Sequence, residues 1–182
     1  MENNKILSQY AVGERNFNGV NLHQVNLCEA DLRGANFAAA DLSGADLSRA
    51  NLSGCNLTRA NLTDADLSGA NLNGANLSEI NLIGSDLISV NLEGTNLTRA
   101  DLRSANLVLA NLFGANLSEA EMSGADLTGA NLKRANLIGA NLSEAEFSNS
   151  DLTEAIITEQ EMTGEILHVG LSHKWITWAG SF

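Results

Sequence analysis

The sequence predicts an all-β solenoid, a rod built from many short repeated units. Three observations lead there. A large apolar residue recurs at every fifth position from Phe17 to Met162, thirty centres with no insertion or deletion. A small residue, mostly Ala, stands two positions before each centre. Aromatic residues make up only 4% of the chain, too few to fill a conventional globular core, so regular stacking of small aliphatic groups must replace it.

The period of five decides the local geometry. A helix of 3.6 residues per turn would smear such centres around all its sides. A plain strand would send alternate centres to opposite faces. A chain that turns a corner in every unit buries them all together. Each unit then supplies a short extended piece and a turn, with the centre and the small residue two before it pointing inward. Twenty-four centres are Leu, three are Phe (Phe17, Phe37, Phe147), two are Met (Met122, Met162) and one is Ile157. Val20, Val25, Ile80 and Val90 are the bulky exceptions at the small site. Immediately before the centre comes Asn eighteen times, Asp eight times, Glu three times and Ile156 once. Ser, Thr and Gly, common after the centres, suit turns. One buried leucine does not offset the ordering of five residues, so only stacked units fold.

Units such as ADLSG, ANLSG and ANLTD resemble the pentapeptide-repeat proteins, over roughly residues 15–164. The resemblance implies a right-handed, quadrilateral parallel β-helix with four units, or twenty residues, per coil. Thirty units would make a rod roughly 36 Å tall at about 4.8 Å per coil. Two columns agree with a step of twenty. Arg59, Glu79, Arg99 and Glu119 alternate in sign along one ladder, and Gly34, Gly54, Gly74, Gly94 and Gly114 align. The whole chain, 1–182, reads as one solenoid domain: a cap over 1–14, repeats over 15–164 and a tail over 165–182.

A solenoid must cover its end coils. The segment NNKILSQYAV reads as a short helix, with Asn3 or Asn4 as its cap and Gly13 as its end. Ile6, Leu7 and Tyr10 share one side, so the helix reads as a lid over the Phe17 end. The start YAVGERNF resembles the leader of cyanobacterial members of the family. In the tail, Leu167, Leu171, Trp175, Trp178 and Phe182 follow helical spacing, whereas Leu167, Val169 and Leu171 equally fit strand alternation. Two roles fit this tail: a second lid, or a homodimer contact through Leu171, Trp175, Trp178 and Phe182.

The charge narrows the partners. A net charge of −12 opposes direct binding to nucleic acid or to an anionic membrane and permits a basic protein partner. Between Glu144 and Glu165 there are seven acids and no base. Two cysteines suit a reducing compartment. The N-terminal residues contain no long apolar run, so neither a signal peptide nor a membrane span is expected, and the cytoplasm is the expected location.

Chemistry is hard to place on these residues. His23, His168 and His173 match no metal pattern. Cys28 should point outward and Cys55 inward, on different sides, so they should not pair. No phosphate-cradling glycine motif and no Ser–His–Asp arrangement stands out. No cofactor is expected, and the chain reads as a non-enzyme.

What remains is surface. Ile83, Ile88, Val108, Leu109 and Phe113 break the polar run after the centres. With twenty residues per coil, Ile88 and Val108 stack with Leu109 beside them, and Ile83 and Phe113 lie on the flanking sides. This apolar patch is the candidate site for an unidentified protein partner. Two functions fit. One is a rigid protein–protein interaction scaffold. The other is an acidic DNA mimic that binds a DNA-binding protein such as DNA gyrase, which some family members protect from quinolones. Those relatives are dimeric rods, some with loops inserted in the repeats. Here no loop is inserted, and Asn outnumbers Asp before the centre.

Overall fold

The structure, a computed structural model, describes residues 2–157 together with 177–178. Its organising contact is a backbone bridge between each residue before a centre and its equivalent twenty positions on. The bridges run in parallel from Asn16 with Asn36 to Asn136 with Ile156. Twenty residues are four units, so the chain winds a right-handed quadrilateral parallel β-helix. The first face holds the units centred from Phe17 by twenties to Ile157. The second starts at Leu22, the third at Leu27 and the fourth at Leu32.

The corners follow from one dihedral. The second residue after every centre, from Gly19 to Glu154, has a positive φ. The backbone N–H of the residue after it closes a turn onto the centre carbonyl, as Ala40 does onto Phe37 at 3.0 Å. A turn with positive φ at its third residue alone follows the type II pattern. Glycine takes that slot without cost. Sixteen of the slots hold other residues, among them Arg59 at 58°, Glu79 at 57° and Leu109 at 60°.

Coils are joined along the rod. In the unit of Leu42, the Leu42 N–H donates to Asn61 O at 2.7 Å and the Gly44 N–H to Thr63 O at 2.8 Å, while the Asn61 N–H donates back to Ala40 O at 2.9 Å. The Asn side chains add a second ladder. Asn91 Oδ1 accepts the Glu93 N–H at 3.1 Å, bracing its own turn, and Asn91 Nδ2 donates to Asn71 Oδ1 at 3.2 Å. Asn111 and Asn131 continue the column. This double use of one amide explains why Asn dominates before the centre.

The core is the rod's axis. Every centre from Phe17 to Ile157 is at most 5% exposed. The bulky exceptions Val25, Ile80 and Val90 are buried as well, and Val20 is partly buried. Ser85 and Thr95 replace Ala at fully buried sites, and their hydroxyls donate to Leu82 O at 2.6 Å and Leu92 O at 2.7 Å. Among the described residues no buried side-chain nitrogen or oxygen lacks a partner, as a stable core requires.

Helix α1, Glu2–Ala11, lies on the first coil. Ile6 is buried, and the Tyr10 hydroxyl donates to Arg33 O at 2.9 Å. Two details differ from expectation. Asn3 and Asn4 fall inside the helix, not ahead of it. Leu7 is exposed, because it stands about 100° around the helix from Ile6 and only one of them can face the coil. The helix is followed by Gly13 at φ +100°.

At the other end, β1 (Ile156–Ile157) pairs in parallel with β2 (Thr177–Trp178). Ile156 faces Thr177, a step of twenty-one residues where the coils step by twenty. The tail is therefore strand at Trp178. Leu171, Trp175 and Phe182 lie outside the described residues, as do His168 and His173.

Candidate functional site

The sequence-derived patch divides among three faces. Ile88, Val108 and Leu109 lie on the third. The Asp86–Asn106 bridge and the Ser89 N–H bond to Val108 O at 2.9 Å put Ile88 and Val108 on successive coils. Ile83 lies on the second face, beside an open hollow of about 370 Å³ shared with Arg103, Ser123 and Glu144. Phe113 lies on the fourth, half-buried, with the Arg134 guanidinium 5.7 Å from its ring centre. Leu109 is the most exposed member of the patch, at 60%. It projects from a left-handed corner, where its side chain leans over Gly129 of the next coil.

The faces differ sharply in charge. On the first, Arg59 pairs with Glu79 at 2.8 Å and Arg99 with Glu119 at 2.6 Å. The expected ladder stands as two close ion pairs, with Glu79 and Arg99 attracting each other at longer range between them. On the fourth, Lys133 pairs with Asp151 and Arg134 with Glu154. On the second, Arg103 grips Asp101 through two hydrogen bonds of 2.8 and 2.7 Å, which hold the Asp101 carboxyl below the usual range. The third face is different. Asp46, Asp66, Asp86, Asp126 and Glu146 occupy one column, interrupted only by Asn106. Its single cation among the described residues, Arg49, pairs with Glu29 at 3.0 Å. Among the described residues, none of the five carboxylates has a cation within 4.0 Å. Neighbours in the column stand about 4.8 Å apart, and like charges placed opposite each other on adjacent strands repel.

This column was missed by counting acids per unit position, which shows only that Asn prevails. Sorting the same residues by steps of twenty reveals it. The apolar patch sits at the break in the column. Val108 and Leu109 belong to the Asn106 unit, with Asp86 one coil before and Asp126 one coil after.

The remaining candidates, His23, Cys28 and Cys55, lie apart from the third face's apolar step. His23 is exposed and its Nδ1 is 2.9 Å from Ser43 Oγ. Cys28 faces outward and is half-buried, and Cys55 is buried with its thiol donating to Leu32 O at 3.1 Å. Burial pushes the Cys55 thiol up to about 11. Among the described residues no three His, Cys, Asp or Glu side chains converge as a metal site needs, and no helix is long and apolar enough to cross a membrane. The arrangement offers flat surfaces for binding.

Comparison with known proteins places the chain. A family model described as pentapeptide repeats matches residues 16–54, 40–79, 80–118 and 120–158. HetL, a pentapeptide-repeat protein involved in heterocyst differentiation regulation from the cyanobacterium Nostoc sp. strain PCC 7120, is 34% identical, over 84% of this chain and 82% of HetL, with a TM-score of 0.39. Rfr23 from the cyanobacterium Cyanothece 51142 is 27% identical over 98% of this chain and all of Rfr23, with a TM-score of 0.44. QnrB1, a plasmid-mediated fluoroquinolone resistance protein, is 20% identical over 92% of this chain and 84% of its own, with a TM-score of 0.47. No functionally curated protein matches. The repeat, the parallel coils and the family model that matches them establish that the chain belongs to the pentapeptide-repeat family.

Proposed function

We propose that the protein is a non-catalytic scaffold that binds a protein partner through the third face, at Ile88, Val108 and Leu109. The observation that carries this is Leu109, an apolar side chain 60% exposed in a left-handed corner slot. Such a slot disfavours a bulky residue, and exposure of the side chain returns little burial to compensate. A partner that covers Leu109 would supply it. The coils hold the surface rigid, which lowers the ordering cost of binding.

Recovery of a partner from a native lysate of the source organism tests the reading. Wild-type protein is expected to retain the partner, and Val108→Ser with Leu109→Ser to lose it. A partner that ignores both changes overturns the assignment. Phe113→Ser on the fourth face is the accompanying control for the extent of the site.

The unpaired carboxylate column favours a second reading, the acidic DNA mimic directed at a DNA-binding protein such as DNA gyrase. The Asn columns and paired charges of the first and fourth faces weigh against it. Protection in a gyrase supercoiling assay with a quinolone present would support it, and no protection at a large molar excess removes it. We assign the tail to a lid rather than to a homodimer contact, on the support of the Trp178–Ile157 pairing within one chain. Native mass with and without residues 166–182 separates the two.

A further inference from the structure

We infer that the third face takes an α-helical segment of a partner protein, laid along the rod, with basic, apolar and basic side chains on successive turns. The inference rests on the scaffold reading and specifies the chemistry of what that surface binds.

Three observations carry it. The first is the order along the face: Asp86, then Val108 and Leu109 in the Asn106 unit, then Asp126, with Asp66 and Glu146 beyond. An apolar step is flanked by an anion on each side. The second is the supply of cations. All seven Lys and Arg side chains that pair within the coils are engaged by Asp31, Glu29, Glu79, Glu119, Asp101, Asp151 and Glu154. None of the seven pairs with Asp86 or Asp126, so a cation brought by a partner finds both carboxylates open to it. The third is spacing. Coils rise about 4.8 Å each, and an α-helix rises about 5.4 Å per turn. Residues i, i+3 or i+4, and i+7 of a helix therefore fall on three successive coils, within the reach of flexible Lys and Arg side chains. An extended peptide repeats its same-face side chains at nearly 7 Å and drifts out of step at once.

The same two groups explain each other. Apolar contact at Leu109 fixes where the helix sits, and the flanking carboxylates fix its register and speed its approach. Asp86 and Asp126 remain free to do so, because only one oxygen of each braces its turn. Asp86 Oδ1 accepts the Ile88 N–H at 3.2 Å, and Asp126 Oδ1 accepts the Thr128 N–H at 2.9 Å.

The test uses the full chain and a synthetic alanine-based helical peptide of about sixteen residues, with Lys at i and i+7 and Leu at i+3 and i+4. Binding is read by fluorescence anisotropy at near-physiological salt, where unspecific charge attraction is screened. Asp86→Asn with Asp126→Asn keeps the turn acceptors, since Asn serves most units, and is expected to weaken binding at least tenfold. Leu109→Ser is expected to do the same. Glu93→Gln with Glu121→Gln, an equal charge change on the fourth and second faces, is expected to stay within about twofold. A peptide with Ser for both Leu should bind no variant well. Equal weakening by the two charge pairs reduces the effect to bulk attraction and overturns the inference, as does absence of binding. Binding that needs Leu109 but ignores Asp86 and Asp126 overturns it too, while leaving the scaffold reading intact.

Discussion

Leu109 Cδ2 lies 2.8 Å from the point where a Cβ on Gly129 would stand. The exposed leucine is therefore held by the absence of a side chain one coil later. Gly129 also has a φ of +69°. Gly129→Ala is expected to lower stability by about 1–3 kcal/mol, from left-handed strain and the clash together. In a Leu109→Ala background only the strain, about 1 kcal/mol, should remain. Urea unfolding of the four proteins in this cycle checks it, and full additivity would show that the two side chains do not meet.

The Asn column makes each amide serve two coils. Asn91→Asp keeps the acceptor for the Glu93 N–H and for Asn111 Nδ2, and it loses only the donor to Asn71. Asn91→Ala loses all three. We expect a cost of about 1 kcal/mol for the first and about 2 kcal/mol for the second, from the usual worth of such bonds. Thermal unfolding followed by circular dichroism measures the order of the two variants.

Cys55 couples stability to alkaline pH. Its thiol titrates at about 11 in the fold, above its ordinary 9.0, because burial disfavours the thiolate. The folded state therefore holds its proton longer. This contribution is complete below pH 9 and disappears as the pH rises towards 11, with a total of about 2–3 kcal/mol. Cys55→Ala should remove that part of the pH dependence. In a thiol-labelling assay at pH 8, the native protein should expose Cys28 and yield the Cys55 thiol only on unfolding.

Acid should act with the opposite sign. Asp41 is held below the usual carboxylate range by the Ser43 hydroxyl and backbone N–H, and Asp101 by Arg103. Glu79 is held low by Arg59. Folded carboxyls that release protons more readily stabilise the rod above the ordinary carboxylate range, near pH 4, and this is lost as the pH falls through their lowered values. The urea midpoint should fall steadily below pH 4, and less so in Asp41→Asn with Asp101→Asn.

Exchange of one centre tests the cooperativity of the stack. Leu92 is fully buried in mid-rod. Leu92→Ala should cost about 2–5 kcal/mol. The loss should appear as one shifted transition for the whole rod, because each coil is stable only on its neighbours.

Much of the fold was legible because one rule repeats. The period of five required a corner in each unit, and the burial of every centre from Phe17 to Ile157 follows from it. The four-sidedness was not contained in that period. It came from the resemblance to a family and stands in the bridges from Asn16 with Asn36 onward. The inward place of Cys55, two before the Leu57 centre, followed from the same period of five, whereas the stacking of Ile88 on Val108 was readable only once the step of twenty was assumed. The helix start was misplaced because Asn3 and Asn4 suit both a cap and a first turn. The tail escaped because Leu167 to Phe182 fit two periods at once, and its pairing slips to a step of twenty-one at Thr177.

The bonds that join coils, such as the Leu42 N–H to Asn61 O, all point along the rod. Tension applied lengthwise therefore concentrates on the outermost loop of chain and peels it away before the next one feels the load. A sideways push is shared by the whole column. Such a body is stiff under bending yet unwinds from its tips, which makes the tip coverings, rather than the middle, the part that sets its mechanical lifetime.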